Sequence, residues 1–182
     1  MNILINGPQG SGKTTQAKLI ADKFNLNFID SGSVLRESIS TQEGKEVKEY
    51  IDKGELVPNE LYFKVIENYV KNNCDNAKGF ILSGIPRTLD QIPFVENKLA
   101  IKIDKVINLV VSQKEFLSRI KKRVVLEGRS DESDEALLKR LSWYEEKVKP
   151  VLDYYRDKIE VVDINGEKDI EVIFTEISSH LI

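Results

Sequence analysis

Short apolar runs alternate with longer amphipathic stretches along the chain. A run that is almost continuously apolar predicts a buried strand, because a strand covered on both faces needs no polar alternation. Five such runs occur, at Ile3 to Ile5, Phe28 to Ile29, Phe80 to Leu82, Val106 to Val111 and Ile159 to Val162. The pattern therefore predicts five short strands.

The stretches between these runs have the periodicity of helices. In Thr14 to Phe24 the apolar residues follow the i, i+3, i+4, i+7 spacing of a helix with one buried face. Similar patterns occupy Asn59 to Lys71, Glu115 to Val125 and Glu135 to Tyr155. Strands that alternate with helices predict right-handed βαβ units, and hence an α/β fold with a parallel five-stranded sheet flanked by helices. Ligands of such sheets bind at the carboxyl ends of the strands.

Composition narrows the class of protein. The 182 residues, 41% of them hydrophobic, suit one domain, and a net charge of -3 argues against nucleic acid as the main partner. Cys74 is the single cysteine, which excludes an internal disulfide and a cysteine-rich zinc site. The amino terminus, MNILING, has no basic region, and no apolar run approaches the roughly 18 residues of a membrane helix. We therefore expect a cytoplasmic protein that is a monomer by default, without a membrane partner.

A glycine-rich loop follows the first predicted strand and opens the first predicted helix. Residues Gly7 to Thr14 read GPQGSGKT, which matches the P-loop pattern G-x-x-x-x-G-K-[ST] in the required context. Backbone N–H groups of such a loop surround phosphates, Lys13 reaches the β- and γ-oxygens, and Thr14 offers a hydroxyl to Mg²⁺. The motif predicts nucleotide binding. It leaves open GTPases, ATPases and small-molecule kinases, although NKLA at Asn97 to Ala100 lacks the acidic residue of a guanine-reading segment.

Arginine is scarce and is placed at particular points. Only seven of the 27 basic residues are arginines, and a guanidinium binds phosphate bidentately, whereas lysine acts as a point charge. Arg87 lies just past the third predicted strand, where an open sheet places its ligand. Arg129 follows Gly128 in a short polar segment between two predicted helices, which is typical of a mobile lid. This placement favours a kinase.

Five separated segments carry a resemblance to a known family. They are GPQGSGKTTQA at Gly7 to Ala17, DSGSVLR at Asp30 to Arg36, GELVP at Gly54 to Pro58, GIPRTLDQ at Gly84 to Gln91 and NGEK at Asn165 to Lys168. Together with the spacing of the later arginines, they resemble the adenylate kinases and their nucleoside monophosphate kinase relatives along nearly the whole chain. The resemblance implies a P-loop core (1–29, 60–121 and 132–182), an AMP-binding helical insert (about 30–59) and a lid (about 122–131). The lid is of the short type, without zinc ligands.

The resemblance also assigns roles to residues. The residues implied to bind ATP are Gly10, Ser11, Gly12, Lys13, Thr14, Thr15, Arg119, Arg123 and Lys168. Those implied to bind AMP are Ser31, Arg36, Glu55, Leu56, Val57, Gly84, Ile85, Pro86, Arg87, Gln91, Arg129 and Arg140. Those implied to act in catalysis are Lys13, Arg87, Arg123, Arg129 and Arg140. The implied reaction is ATP + AMP = 2 ADP, with Mg²⁺ accompanying ATP.

One departure from the family pattern concerns this metal. The family usually has an aspartate, which orders the waters of Mg²⁺, where this chain has Ser83. A serine can hydrogen-bond a water of the metal but brings no negative charge, so we expect weaker metal binding or a slower rate. Thr14, where many members have glycine, offers a compensating hydroxyl. Ser33 and Ile85 are smaller departures, at positions where the family usually has an acidic residue and a phenylalanine.

The sequence leaves more than one nucleoside monophosphate open as the phosphoryl acceptor. Ser31 keeps the hydroxyl that AMP-selective members have as threonine, and Gln91 keeps an amide suited to adenine. These two residues favour AMP over UMP or CMP, because buried polar groups left unpaired penalise the wrong base. A nucleotide-binding regulatory protein with weakened catalysis stays a further alternative, against which the retained arginines argue.

Overall fold

A parallel sheet forms the centre of the molecule. The computed structural model describes residues 1–53, 55–116, 118–119 and 142–182. The strands of the sheet are β1 (Asn2–Asn6), β2 (Asn27–Asp30), β3 (Phe80–Ser83), β4 (Lys105–Val110) and β5 (Val161–Asn165). They lie in the order β2-β3-β1-β4-β5, and every neighbouring pair is parallel. The prediction of a five-stranded parallel α/β sheet is confirmed.

Helices cover both faces of this sheet. The labelled helices are α1 (Lys13–Phe24), α2 (Ser31–Glu37), α3 (Gln42–Asp52), α4 (Asn59–Asn73), α5 (Lys149–Arg156) and α6 (Ile170–Ser179). Residues 113–116, 118–119 and 142–143 are also helical. Wider π-helical turns occupy Phe94–Lys98, directly after Pro93, and Tyr144–Val148, two residues before Pro150. Within the described residues, no helix is both long and apolar enough to span a bilayer.

Strand side chains alternate between two cores. On β1, Leu4 packs into the core under α2, α4 and α5, whereas Ile3 and Ile5 pack into the core under α1 and α6. Both cores are shielded from solvent: Ile3 and Ile5 are 0% exposed and Leu4 is 2% exposed. Burial on both faces explains why the strand sequences are continuously apolar.

Both ends of the last strand differ from the sequence prediction. The last strand begins at Val161 rather than Ile159, because the N–H of Ile159 still bonds to the carbonyl of Tyr155 at the end of α5. It continues to Asn165, which pairs with Val110 of β4. This extension depends on a neighbouring strand and has no local apolar signal. The helices predicted over Glu115 to Val125 and Glu135 to Tyr155 lie partly outside the described residues.

The connection between β2 and α4 is mostly helical in its described part. It contains α2, the 3₁₀ turn Ser38–Ser40 and α3, followed by a non-helical segment at 55–58, and Gly54 lies outside the described residues. This stretch corresponds to the predicted insert at about 30–59. The predicted lid at about 122–131 lies wholly outside the described residues.

Candidate active site

The glycine-rich loop joins β1 to α1 and has the backbone that its glycines permit. Gly7, Gly10 and Gly12 have φ values of 146°, 75° and 90°, in the region that residues with a side chain rarely adopt. A Cβ on Gly7 would lie 2.8 Å from the carbonyl oxygen of Leu109, so the loop packs directly on β4. Ser11 at its centre is 0% exposed, and the ammonium of Lys13 donates to the Pro8 carbonyl at 3.1 Å. The loop therefore wraps around the start of α1, the arrangement in which backbone N–H groups at a helix N-terminus bind phosphate.

A cavity opens beside this loop, at the carboxyl ends of β1, β2 and β3. Ten of the residues implied to bind nucleotide line it: Lys13, Thr14, Arg36, Glu55, Leu56, Val57, Gly84, Pro86, Arg87 and Gln91. They come from the P-loop, α2, the segment before α4 and the segment after β3. The fold thus brings the predicted donor and acceptor residues to one cavity.

Arg87 is held in a fixed orientation at this cavity. Its Nε donates to the Gly84 carbonyl at 2.8 Å and its Nη2 donates to the Ser31 hydroxyl at 3.3 Å. Gly84 has φ 70°, and a Cβ there would lie 3.0 Å from Nη2 of Arg87. Glycine at this position therefore allows both the turn and the close approach of the guanidinium.

The side-chain amide of Gln91 is oriented by two partners. Its Oε1 accepts the backbone N–H of Arg87 at 2.8 Å, and its Nε2 donates to Oδ1 of Asn59 at 3.2 Å. Gln91 is only 3% exposed and still lines the cavity. Asn59, the first residue of α4, had no role in the sequence analysis, and it now fixes which end of the Gln91 amide faces which neighbour.

Two residues implied to bind AMP do not reach the cavity wall with their side chains. Ser31 is 0% exposed, and its hydroxyl donates to the Gly84 carbonyl at 2.5 Å while accepting from Arg87. Ile85 is 1% exposed and belongs to the core under α4. Tyr62 of α4 lines the cavity instead, and burial raises the pKa of its hydroxyl to about 12, which keeps it a neutral donor toward Gly84.

A carboxylate lies beside Ser83, on the neighbouring strand. Asp30 ends β2 directly opposite Ser83 of β3, and its Oδ2 accepts from the hydroxyls of Ser83 at 2.9 Å and Thr14 at 3.1 Å. Its Oδ1 accepts the backbone N–H of Ser33 at 2.8 Å and so caps α2. Ser83 itself carries no charge, and the neighbouring strand places a carboxylate in contact with it.

Asp30 is ionised in this environment. Burial alone would raise its pKa, but the hydrogen bonds from Ser33 and Ser83 and the positive charge of Arg87 outweigh burial and lower the pKa below its ordinary value. The side chain is 8% exposed and lines the cavity. Together with the hydroxyls of Thr14 and Ser83 it forms a group of hard oxygen atoms, the donor type that Mg²⁺ prefers.

The residues expected on the ATP side lie around the P-loop. Arg119 crosses the loop: its Nη1 donates to the Gly10 carbonyl at 3.4 Å, and its Nε pairs with Glu115 at 2.7 Å. Thr15 is exposed on the first turn of α1. Lys168 pairs with Glu176 of α6 at 2.7 Å. Arg123, Arg129 and Arg140 lie outside the described residues, so their predicted roles stay predictions.

Helical residues near α5 contribute a part of the wall that sequence reasoning did not assign to the site. Trp143, Tyr144, Lys147 and Val148 line the cavity. Their place at the site has no local sequence signal, because it depends on how α5 packs on the sheet. Lys147 adds a cation to Lys13, Arg36 and Arg87 at the same cavity.

Comparisons with known proteins agree with this geometry. The family model described as adenylate kinase matches residues 5–160. An adenylate kinase of Bifidobacterium longum is 41% identical over 100% of both chains. An adenylate kinase of Archaeoglobus fulgidus is 36% identical over 100% of this chain and 98% of its own, and one of Mycolicibacterium paratuberculosis is 39% identical over 93% of each. With its P-loop and its arginine-lined cavity on a parallel five-stranded sheet, this chain belongs to the adenylate kinase family.

Proposed function

We propose that the protein transfers the γ-phosphoryl group of ATP to AMP and yields two ADP. The observation that carries the proposal is the shared cavity: the P-loop lysine, Lys13, lines the same space as Arg36 and Arg87. A donor phosphate on the loop and an acceptor phosphate on the arginines would then face each other. Such alignment, with compensation of charge, is what phosphoryl transfer asks of a protein.

On the donor side, the P-loop would bind the triphosphate of ATP. Backbone N–H groups of Gly10, Ser11 and Gly12 and the positive end of α1 suit the β- and γ-phosphates. Lys13 would add a charge to the transferring group. Arg119 would stack on the adenine, which is consistent with its position over the loop.

On the acceptor side, Arg36 and Arg87 would hold the phosphate of AMP. An oxygen of that phosphate attacks the γ-phosphorus of ATP, and the bond from that phosphorus to the oxygen bridging it to the β-phosphate breaks. The attacking oxygen is already ionised at neutral pH, so no side chain has to remove a proton. This chemistry fits a cavity whose lining includes the cations Lys13, Arg36 and Arg87.

Mg²⁺ bound with ATP would neutralise part of the phosphate charge. Thr14 and, through a water molecule, Ser83 are the residues we propose to face it, and their hydroxyls point to one shared carboxylate oxygen. The insert (about 30–59) and the lid (about 122–131, with Arg123 and Arg129) would close over the substrates together with Arg140. Closure excludes water, which would otherwise accept the phosphoryl group.

The proposed acceptor is AMP. The amide of Gln91 can pair with the edge of adenine, and its orientation is fixed by Arg87 and Asn59. A coupled assay of ADP formation with AMP, UMP, CMP and GMP, each with Mg²⁺ and with EDTA, tests the proposal. We expect AMP to give the highest kcat/KM. A higher value for UMP or CMP would overturn the choice of acceptor, and no transfer to any monophosphate would overturn the activity.

We also propose that the protein acts as a monomer in a reducing compartment. The support is its one cysteine, Cys74, which is half-buried and whose thiol pKa is raised by burial, so it is a poor nucleophile at neutral pH. Analytical ultracentrifugation of the full chain, with and without reductant, tests the oligomeric state. A dimer in either condition would contradict it.

A further inference from the structure

The side chains that line the cavity carry negative as well as positive charge. The cavity is lined by cations suited to phosphates, yet the carboxylate of Asp30 also faces it. The donors to that carboxylate include the backbone N–H of Ser33 and the hydroxyls of Ser83 and Thr14, which are neutral, and the cation that acts on it, Arg87, is the one assigned to the acceptor phosphate. A buried anion beside a triphosphate is repulsive unless a cation lies between them.

Capping of α2 does not account for this arrangement. A cap needs one acceptor oxygen, which Oδ1 provides through Ser33, and serine, threonine or asparagine would serve equally well. Oδ2 instead gathers hydroxyls from two other elements, Thr14 of α1 and Ser83 of β3. An ionised, buried side chain carries a cost of desolvation that capping does not require.

We infer that Asp30 is the carboxylate that anchors Mg²⁺ at this site, acting from the end of β2 together with the hydroxyls of Thr14 and Ser83. The register pairs Asp30 with Ser83, so a carboxylate at either position lies at the same end of adjacent strands, about 4.8 Å apart. Asp30 on β2 then supplies the negative charge that Ser83 on β3 lacks. The inference rests on the proposed function, because it takes the metal to arrive with ATP.

The test separates metal binding from turnover. Calorimetric titration of ATP alone, once with excess Mg²⁺ and once with EDTA, gives two dissociation constants, and their ratio is the Mg²⁺ effect. In Asp30→Asn the side chain keeps its shape and can still cap α2, but it loses its charge. We expect the Mg²⁺ effect to fall by about 10-fold or more, as for other groups that orient a metal's ligands.

The measurement with EDTA distinguishes an electrostatic role from a structural one. Removal of the anion should leave ATP binding in EDTA unchanged or tighter, whereas loss of local structure would weaken it in both conditions. Asp104→Asn is the matched control, because Asp104 also accepts a backbone N–H, from Asn2, but lies before β4 at the opposite end of the sheet. It should leave the Mg²⁺ effect unchanged.

A second variant keeps the inference testable if Asp30→Asn does not fold. The double variant Asp30→Ser/Ser83→Asp moves the carboxylate back to β3, and it should retain most of the Mg²⁺ effect. An unchanged Mg²⁺ effect in Asp30→Asn, or its loss in the double variant, would overturn the inference. Failure of the parent to form ADP from AMP would overturn the proposed function instead, since these titrations contain no acceptor.

Discussion

Replacement of Arg87 tests the acceptor side of the site most directly. Within the described part of the chain, two of the five guanidinium N–H donors go to Gly84 and Ser31. The others would be available to a phosphate in a fixed plane. Arg87→Lys keeps the charge but replaces this fork by a single ammonium group, so one directed contact to the phosphate is lost.

The expected loss in kcat/KM follows from the free energy of one such hydrogen bond. A hydrogen bond to a charged group contributes about 1.5–3 kcal/mol, and about 1.4 kcal/mol is a factor of ten, so Arg87→Lys should lower kcat/KM for AMP by about 10- to 150-fold. Arg87→Ala loses two contacts and should lower it by about 10²- to 10⁴-fold. The fold should survive, because the Gly84 carbonyl keeps its bond from Ser31 at 2.5 Å.

The assay is the initial rate of ADP formation at saturating ATP and Mg²⁺ with AMP varied, accompanied by calorimetric titration of ATP. Binding of ATP should not change, because Arg87 lies on the acceptor side. The matched control is Arg156→Lys. Nη2 of Arg156 donates to both carboxylate oxygens of Asp163 at 2.7 Å, and the Arg156 side chain is 39% exposed and outside the cavity-lining residues. If Arg87→Lys had the same kcat/KM as Arg156→Lys, the role assigned to Arg87 would be refuted.

Three further changes have definite expected outcomes. Gly84→Ala should lower the free energy of unfolding by about 1–2 kcal/mol, because φ at this position is 70°. It should also raise KM for AMP, because the added Cβ displaces Arg87. Thermal unfolding checks the loss of stability and the dependence of rate on AMP checks KM, and an unchanged Tm would contradict the predicted loss of stability. Asn59→Ala should raise KM for AMP by about 2- to 10-fold without affecting KM for ATP, since it removes one neutral hydrogen bond to Gln91; equal effects on both substrates would contradict it. The pKa of Asp30 is lowered by folding, so its charge stabilises the protein above the unfolded-state pKa of about 4, and this contribution is lost as pH falls through the folded-state pKa. In urea titrations over acidic pH, the stability difference between parent and Asp30→Asn should therefore narrow as pH falls, and a constant difference would contradict the prediction.

The local pattern of the sequence was sufficient for the elements and for the P-loop. A strand buried on both faces has to be apolar along its length, and a loop that wraps phosphate needs glycines at fixed positions, so β1 and Gly7 to Thr14 can be recognised without tertiary information. Arg87 was found in the same way, because it follows directly after β3. The α/β class follows from the alternation of strands and helices.

Contacts between distant segments were decided only by the tertiary structure. Asp30 and Ser83 are 53 residues apart in sequence, and they meet because β2 and β3 are adjacent and in register. Position 83 by itself shows only a serine, and position 30 shows only an acid at a strand end, since neither position reveals which strand lies beside it. The sequence determines which residues end each strand, whereas the order and register of the strands determine which of those ends share a site.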